Sequence, residues 1–224
     1  MAMLPDLPQT EIAIVEMTNA FRKDNKLGAL KPNPALTAAA RAFAEYLGKS
    51  GKFGHEADGR QPAQRAAAHG YRYCTVAENL ALNLDSLGFE TLQLARQAIE
   101  GWKGSPGHRA NMLRPNVTEI GVAVVRAPDL DPKFISVQLF GRPEALKVEF
   151  DVDNQAGTTV RYRLGEDAIT LPAHTIATYT RCDPDKLTFE KAGPAAQSHE
   201  PRNGDRFVVR AGTGGAIAVD VERK

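Results

Sequence analysis

Two textures of hydrophobic patterning divide the chain. Up to about residue 140, apolar positions recur mostly at helical spacing. Ile12, Val15 and Phe21 repeat that way after Pro8, with Gly28 as the expected stop. Residues 34–49 are rich in Ala and Leu, which favour helix, and Pro34 suits a first turn. Residues 62–69 predict a short third helix ended by Gly70. Asp85 or Ser86 is the expected cap of a fourth helix carrying Leu92, Ala95, Ile99 and Trp102. Strand-like runs lie between them, at 75–82, 118–126 and 134–140. Helices interleaved with few strands predict an α+β unit in which helices pack on a small sheet.

After Arg142-Pro143 the period changes from helical to two. Leu146, Val148, Phe150 and Val152 alternate with polar residues, as do Val160, Tyr162 and Leu164, and then Ile217, Val219 and Val221. Turn material separates these runs, for example Asp153-Asn154-Gln155-Ala156-Gly157 and Gly212-Thr213-Gly214-Gly215. The reading is an N-terminal tail over 1–8, an α+β domain over 9–143 and a small antiparallel all-β domain over 144–224, a sandwich or partial barrel.

Composition narrows the classes. Of 224 residues, 42% are hydrophobic and 25% charged, which excludes a mainly disordered chain. Lys and Arg number 28 against 27 Asp and Glu, so the broad basic surface that nucleic acid requires is absent. No apolar run nears the roughly 20 residues of a membrane-spanning helix. The first eight residues carry neither a basic segment nor a long apolar one, so they are no secretory signal as written. A cytoplasmic protein and a secreted chain whose signal has been removed both fit. Cys74 and Cys182 are the two cysteines, too few for a disulfide-dense scaffold or a four-cysteine zinc module. They form either one bridge, which implies an oxidising compartment, or two free buried thiols.

Five histidines occur, and two have distinctive settings. His55 lies in Phe53-Gly54-His55-Glu56-Ala57-Asp58-Gly59, a loop between predicted helices, and His108 in Ser105-Pro106-Gly107-His108-Arg109, at a predicted helix start. Glu78 stands among apolar neighbours on a strand, Val76-Ala77-Glu78-Asn79-Leu80. A carboxylate there needs a partner, because burying an unpaired charge is costly. It is either a structural acceptor for backbone N–H groups or an arginine, or part of a site. Arg65 and Arg109 are the arginines considered as carboxylate partners; Arg109 reads better as a solvated surface residue. Asn79 and Asn111 read as structural amides, and Trp102 as core.

Taken in order, these segments resemble a known family. They are Asn19-Xaa-Xaa-Arg22, Gly54-His55, Pro62-Xaa-Xaa-Arg65, Ala77-Glu78-Asn79-Leu80, Ser105-Pro106-Gly107-His108-Arg109-Xaa-Asn111-Met112-Leu113, Thr118-Glu119-Ile120-Gly121-Val122 and Gln138-Xaa-Phe140-Gly141. Over about residues 9–143 the chain resembles the CAP superfamily of cysteine-rich secretory proteins, venom antigens and pathogenesis-related proteins, in its bacterial SCP-like extracellular branch. The resemblance implies a three-layer α-β-α sandwich with a surface cleft lined by His55, Glu78 and His108. It also implies zinc or another divalent cation bound there in some members, two imidazoles and a carboxylate being a common ligand set. This sequence departs from the animal-type pattern, which has a second glutamate after the helix tryptophan. Here Trp102 is followed by Lys103-Gly104-Ser105, and neither Glu100 nor Glu119 matches.

Three function classes follow. The first is a secreted or periplasmic binding protein whose cleft, with His55, Glu78, His108, Arg65 and Ser105, takes a metal, lipid, peptide or protein ligand. The second is a hydrolase, with His55 or His108 as general base, Glu78 orienting it, and Ser105 as nucleophile or a metal-bound water in its place. No Gly-Xaa-Ser-Xaa-Gly or His-Glu-Xaa-Xaa-His signature accompanies these residues. The third is a structural adaptor with a vestigial cleft.

Overall fold

The helical spacing after Pro8 corresponds to α1 (Leu7–Asp24), whose first turn is capped by the Asp6 carboxylate accepting from the Gln9 N–H at 3.0 Å. In a computed structural model describing residues 2–183, 185–192 and 198–223, four more α-helices follow: α2 (Pro34–Ser50), α3 (Pro62–Ala68), α4 (Thr91–Gly104) and α5 (Pro106–Met112). Asn33 caps α2 by accepting from the Ala35 and Leu36 N–H groups, and Gly51 ends it in the left-handed region. One cap differs from expectation. The N-cap of α4 is Glu90, which shares a capping box with Gln93, and the Asp85 carboxylate is already engaged by the Leu87 N–H inside the preceding turn. The buried stripe of α4 is accordingly Leu94, Ala95, Ala98, Ile99 and Trp102, while Leu92 is exposed.

Four strands make the central sheet: β1 (Lys31–Pro32), β2 (Tyr73–Leu84), β3 (Glu119–Arg126) and β4 (Lys133–Pro143), in the order β1-β3-β4-β2. The β1–β3 pair is parallel and the others antiparallel. Alternation along the strands sends side chains to two separate cores. On one face Ile120, Val122, Val124, Phe134 and Phe140 meet Ile14 of α1 and Leu94, Ile99 and Trp102 of α4. On the other, Leu80, Ala123, Ile135 and Val137 meet Leu36, Phe43 and Leu47 of α2 and Ala66 of α3. Each fully buried large apolar side chain here stabilises by about 1.5–3 kcal/mol. The result is the three-layer α-β-α sandwich. Its α2 layer lies so close to β3 that a Cβ on Gly121 would fall 2.3 Å from the Leu36 carbonyl carbon.

The described residues fall into two compact units, Met1–Ala145 and Leu146–Lys224. The second unit contains β5 (Val148–Asn154), β6 (Val160–Leu164), β7 (Asp167–Leu171), β8 (Thr175–Arg181), β9 (Leu187–Phe189), β10 (Ser198–His199), β11 (Arg206–Ala211) and β12 (Ile217–Glu222). They form two sheets, β10-β9-β6-β7 and β12-β11-β5-β8, which share a core of Phe150, Val152, Tyr162, Leu187, Phe189, Phe207 and Val209. This is a sandwich rather than a partial barrel. It is not wholly antiparallel, because β11 runs parallel to β5. Buried Asn154 explains the turn that follows β5: its amide donates to the Thr158, Leu171 and Pro172 carbonyls and its Oδ1 accepts from the Ala156 N–H. Both Cys74 and Cys182 are disulfide-bonded, so neither is a free thiol.

Candidate functional site

Glu78 sits in the middle of β2 with only 1% of its side chain exposed, and its charge is answered by Arg65 of α3, whose side chain is 4% exposed. Arg65 Nη2 donates to Glu78 Oε2 at 2.7 Å and to the His55 carbonyl at 2.9 Å. Its Nη1 donates to Asp58 Oδ1 at 2.9 Å and to the Arg60 carbonyl at 2.6 Å. The guanidinium carbon lies 3.5 Å from the centre of the Phe43 ring, a cation–π contact from the α2 layer. One planar cation thus binds β2 to the 55–60 loop, the arrangement for which arginine is better suited than lysine.

The second carboxylate oxygen of Glu78 faces His55. His55 Nδ1 lies 2.9 Å from Glu78 Oε1. A carboxylate accepts, so Nδ1 carries the proton and the other ring nitrogen, Nε2, is directed away from Glu78. The ring remains 49% exposed. The loop bends to deliver it: Gly54, just before His55, has φ +149, a backbone conformation in which a side chain would be strained. Burial pushes the Glu78 carboxyl above the usual carboxylate range, and Arg65 and then His55 pull against that rise.

His108 comes to the same place from α5. The two imidazole centroids are 6.4 Å apart, with the planes at 59°. Partial burial, and then the neighbouring His55, lower the His108 pKa and favour its neutral form. A polar ladder through the sheet holds the start of α5. Asn79 Nδ2 donates to the His108 carbonyl and to Gln138 Oε1, both at 3.1 Å. Asn111 Nδ2 donates to the Glu78 carbonyl and to Asn79 Oδ1, also at 3.1 Å, and Gln138 Nε2 donates to Thr18 Oγ1 at 2.8 Å. Arg22 anchors the other end of α5, its Nη1 donating to the Met112 and Arg114 carbonyls at 2.8 Å. Trp102 is buried, with its indole N–H on the Leu80 carbonyl at 2.9 Å.

The structure therefore brings His55, Glu78 and His108 together and gives Arg65 a buried supporting place rather than a ligand-facing one. Ser105 is not joined to them. It stands between α4 and α5, and among the described residues its hydroxyl makes no hydrogen bond to either histidine. Arg109 is exposed and lies over the Phe21 ring, 4.9 Å from its centroid. Glu100 pairs with Lys103, and Glu119 accepts from the Tyr71 hydroxyl at 2.6 Å, so neither acid enters the site.

The donor set bears on the metal expectation. Both Glu78 oxygens are engaged, by Arg65 and His55, and among the described residues no three His, Cys, Asp or Glu side chains are grouped to hold a metal ion. The trio does not fit a three-ligand centre as arranged. Asp58, Gln138 and Thr18 belong to the supporting shell but do not stand out in the sequence. Asp58 lies in the same loop as His55, and nothing local separates it from an ordinary turn acid.

Comparisons with known proteins bear on the family and the fold. Residues 15–140 match the cysteine-rich secretory protein family, CAP. The chain is 30% identical over 118 residues to YkwD of Bacillus subtilis, a match that covers 52% of this chain and 43% of that protein. It therefore spans less than half the length of that relative. Among solved structures, an outer surface protein of Borrelia burgdorferi aligns with a TM-score of 0.54 at 22% identity, over 64% of this chain and 100% of that one. An extracellular SCP-domain protein of Bacillus anthracis aligns with a TM-score of 0.50 at 23% identity, over 61% of this chain and 41% of that one. Among the described residues, no helix is long and apolar enough to cross a membrane. With the family match covering more than half its length, the chain belongs to the CAP (cysteine-rich secretory protein) family.

Proposed function

We propose that the CAP unit is an extracytoplasmic binding module whose recognition face is centred on His55 and His108. The observation that supports this most is the double commitment of Glu78. Arg65 holds one oxygen and His55 Nδ1 the other, leaving a half-exposed imidazole whose Nε2, with no hydrogen bond among the described residues, can meet a polar ligand group. A preorganised imidazole loses little freedom when it binds. The extracytoplasmic placement is supported by the disulfide-bonded cysteines, which persist in oxidising compartments, and by the outer-surface and extracellular descriptions of similar folds.

The test is a histidine NMR titration of the full chain with zinc chloride, with myristate and with a defined tetrapeptide set, repeated in His55→Gln and His108→Gln. The reading expects at least one probe to shift the His55 ring protons and to lose about tenfold in affinity in His55→Gln, the scale of one lost charge-assisted or polar bond. Equal binding by wild type and both variants places recognition elsewhere and ends the reading.

A hydrolase is the second reading, favoured by the same Glu78–His55 pair, which has the orienter–base geometry of general-base catalysis. Against it stands the Ser105 hydroxyl, which bonds neither imidazole. Turnover of peptide or ester substrates that is lost in both His55→Ala and Glu78→Gln is what this reading requires.

A further inference from the structure

The central sheet treats its two edges differently. At the β3 edge, β1 pairs with the first residues. Further along, Glu11 Oε1 accepts from the Val124 N–H at 2.8 Å and Arg41 Nη1 donates to the Val124 carbonyl at 3.1 Å. Those two side chains are themselves paired, so at Val124 they satisfy the backbone as a neighbouring strand would. Blocking an edge in this way prevents uncontrolled strand addition.

At the opposite edge, β2 is closed only part of the way. The Glu78 carbonyl accepts from Asn111 and the Leu80 carbonyl from the Trp102 indole. These bonds fix the parity: the even-numbered residues of β2 turn their N–H and C=O groups away from β4. Leu82 and Leu84 are next in that series. Among the described residues neither makes a hydrogen bond outside the sheet ladder. Their side chains are also exposed, and Leu130 at the tip of the β3–β4 hairpin is fully so. Together with Asp129, Asp131 and Lys133 they line a hollow of about 490 Å³. No proline or lysine blunts the edge between Ala81 and Leu84. Lys133 is taken by Asp129 at 2.9 Å, which leaves Asp131 exposed without an ion pair among the described residues, and Asp85 follows directly after Leu84.

We propose that the open edge of β2 at Leu82–Leu84 is a docking site for an extended peptide segment with an apolar centre flanked by basic residues, which adds a strand to the sheet. Backbone bonds to Leu82 and Leu84 supply register. Apolar side chains cover the leucines of the hollow, and a lysine or arginine answers Asp131. Charge decides against a second copy of the chain as occupant. Two-fold pairing of β2 with itself would bring a second set of Asp85 and Asp131 carboxylates to the first.

The test uses the full chain and an acetylated, fluorescein-labelled nonapeptide with central valines flanked by lysines, read by fluorescence anisotropy, with unlabelled peptide for amide hydrogen exchange. Expected are binding, and new protection of the Leu82 and Leu84 amides. Leu84→Pro removes the outward N–H without touching the ladder and should weaken binding about tenfold, as should Leu82→Lys, which alters the surface but not the backbone. Asp131→Asn should weaken it several-fold. Unchanged Trp102 fluorescence shows that the variants remain folded. The proposal is overturned by absence of binding at the peptide's solubility limit. Equal binding of a glutamate-for-lysine peptide or of a proline-interrupted one also overturns it, as does unchanged affinity in Leu84→Pro and Leu82→Lys. Sedimentation showing a dimer with those amides protected in the absence of peptide would assign the edge to a second copy instead.

Discussion

Arg65→Met isolates the interaction that holds the histidine face together. Methionine keeps roughly the length and apolar stem of arginine but removes the guanidinium. Glu78, 1% exposed, then loses its nearest cation, and the Asp58 carboxylate and the Arg60 and His55 carbonyls lose their donors. Removing one partner of a buried ion pair costs about 3–5 kcal/mol, chiefly because the other charge is left uncompensated. Trp102 is the one tryptophan of the chain and lies buried in the CAP unit, so its fluorescence follows this unit and not the β unit. With a urea m-value of roughly 2 kcal/mol/M, a loss of about 4 kcal/mol lowers the unfolding midpoint by about 2 M. Adding Glu78→Gln to Arg65→Met removes the stranded charge and should recover part of that loss. Arg65→Lys keeps the charge but not the fork, and should fall between. A midpoint for Arg65→Met within about 0.3 M of wild type, or no recovery in the double variant, refutes the reasoning.

His108 should titrate below the ordinary histidine range in NMR, because burial and then His55 favour its neutral form. A depressed folded-state pKa contributes stability that is present above the unfolded value and lost as pH falls through the folded one. His55→Gln should raise the His108 pKa only part of the way, since burial is the larger cause; a full return to normal would reverse that ranking. Thiol titration of the unfolded chain should find no reactive thiol before reduction and two after it. Gly121→Ala should cost several kcal/mol by driving α2 off the sheet, whereas Gly28→Ala, with nothing within 4 Å of its added Cβ, should be near neutral in the same urea assay.

The site is legible in the sequence to an uneven degree. His55, Glu78 and His108 stand out because their settings are local: a glycine before a loop histidine, a carboxylate among apolar strand residues, a histidine after Pro-Gly. The sequence leaves the partner of Glu78 open between backbone and arginine. Choosing Arg65 depends on α3 lying beside β2, a relation that periodicity does not carry. Asp58 and the Gln138–Thr18 step are invisible for the same reason, since their partners lie 7 and 120 positions away in sequence. The α4 cap differs from the expected one because Asp85 has the right chemistry for a cap but spends its carboxylate on its own turn.

What the sequence determined alone was the alternation of periods: helices and a short sheet before residue 143, and strands of period two after it. Those follow from side-chain spacing within single elements, a local property. What only the tertiary structure decided was pairing. It turned Arg65 inward and made Glu78 a clamp on His55 rather than a free ligand. It ran β11 parallel to β5, and it left one end of β2 uncovered while Glu11 and Arg41 closed the sheet's other edge. Charge satisfaction and strand order depend on which distant segments become neighbours, and that is settled by the packing of layers rather than by any local pattern.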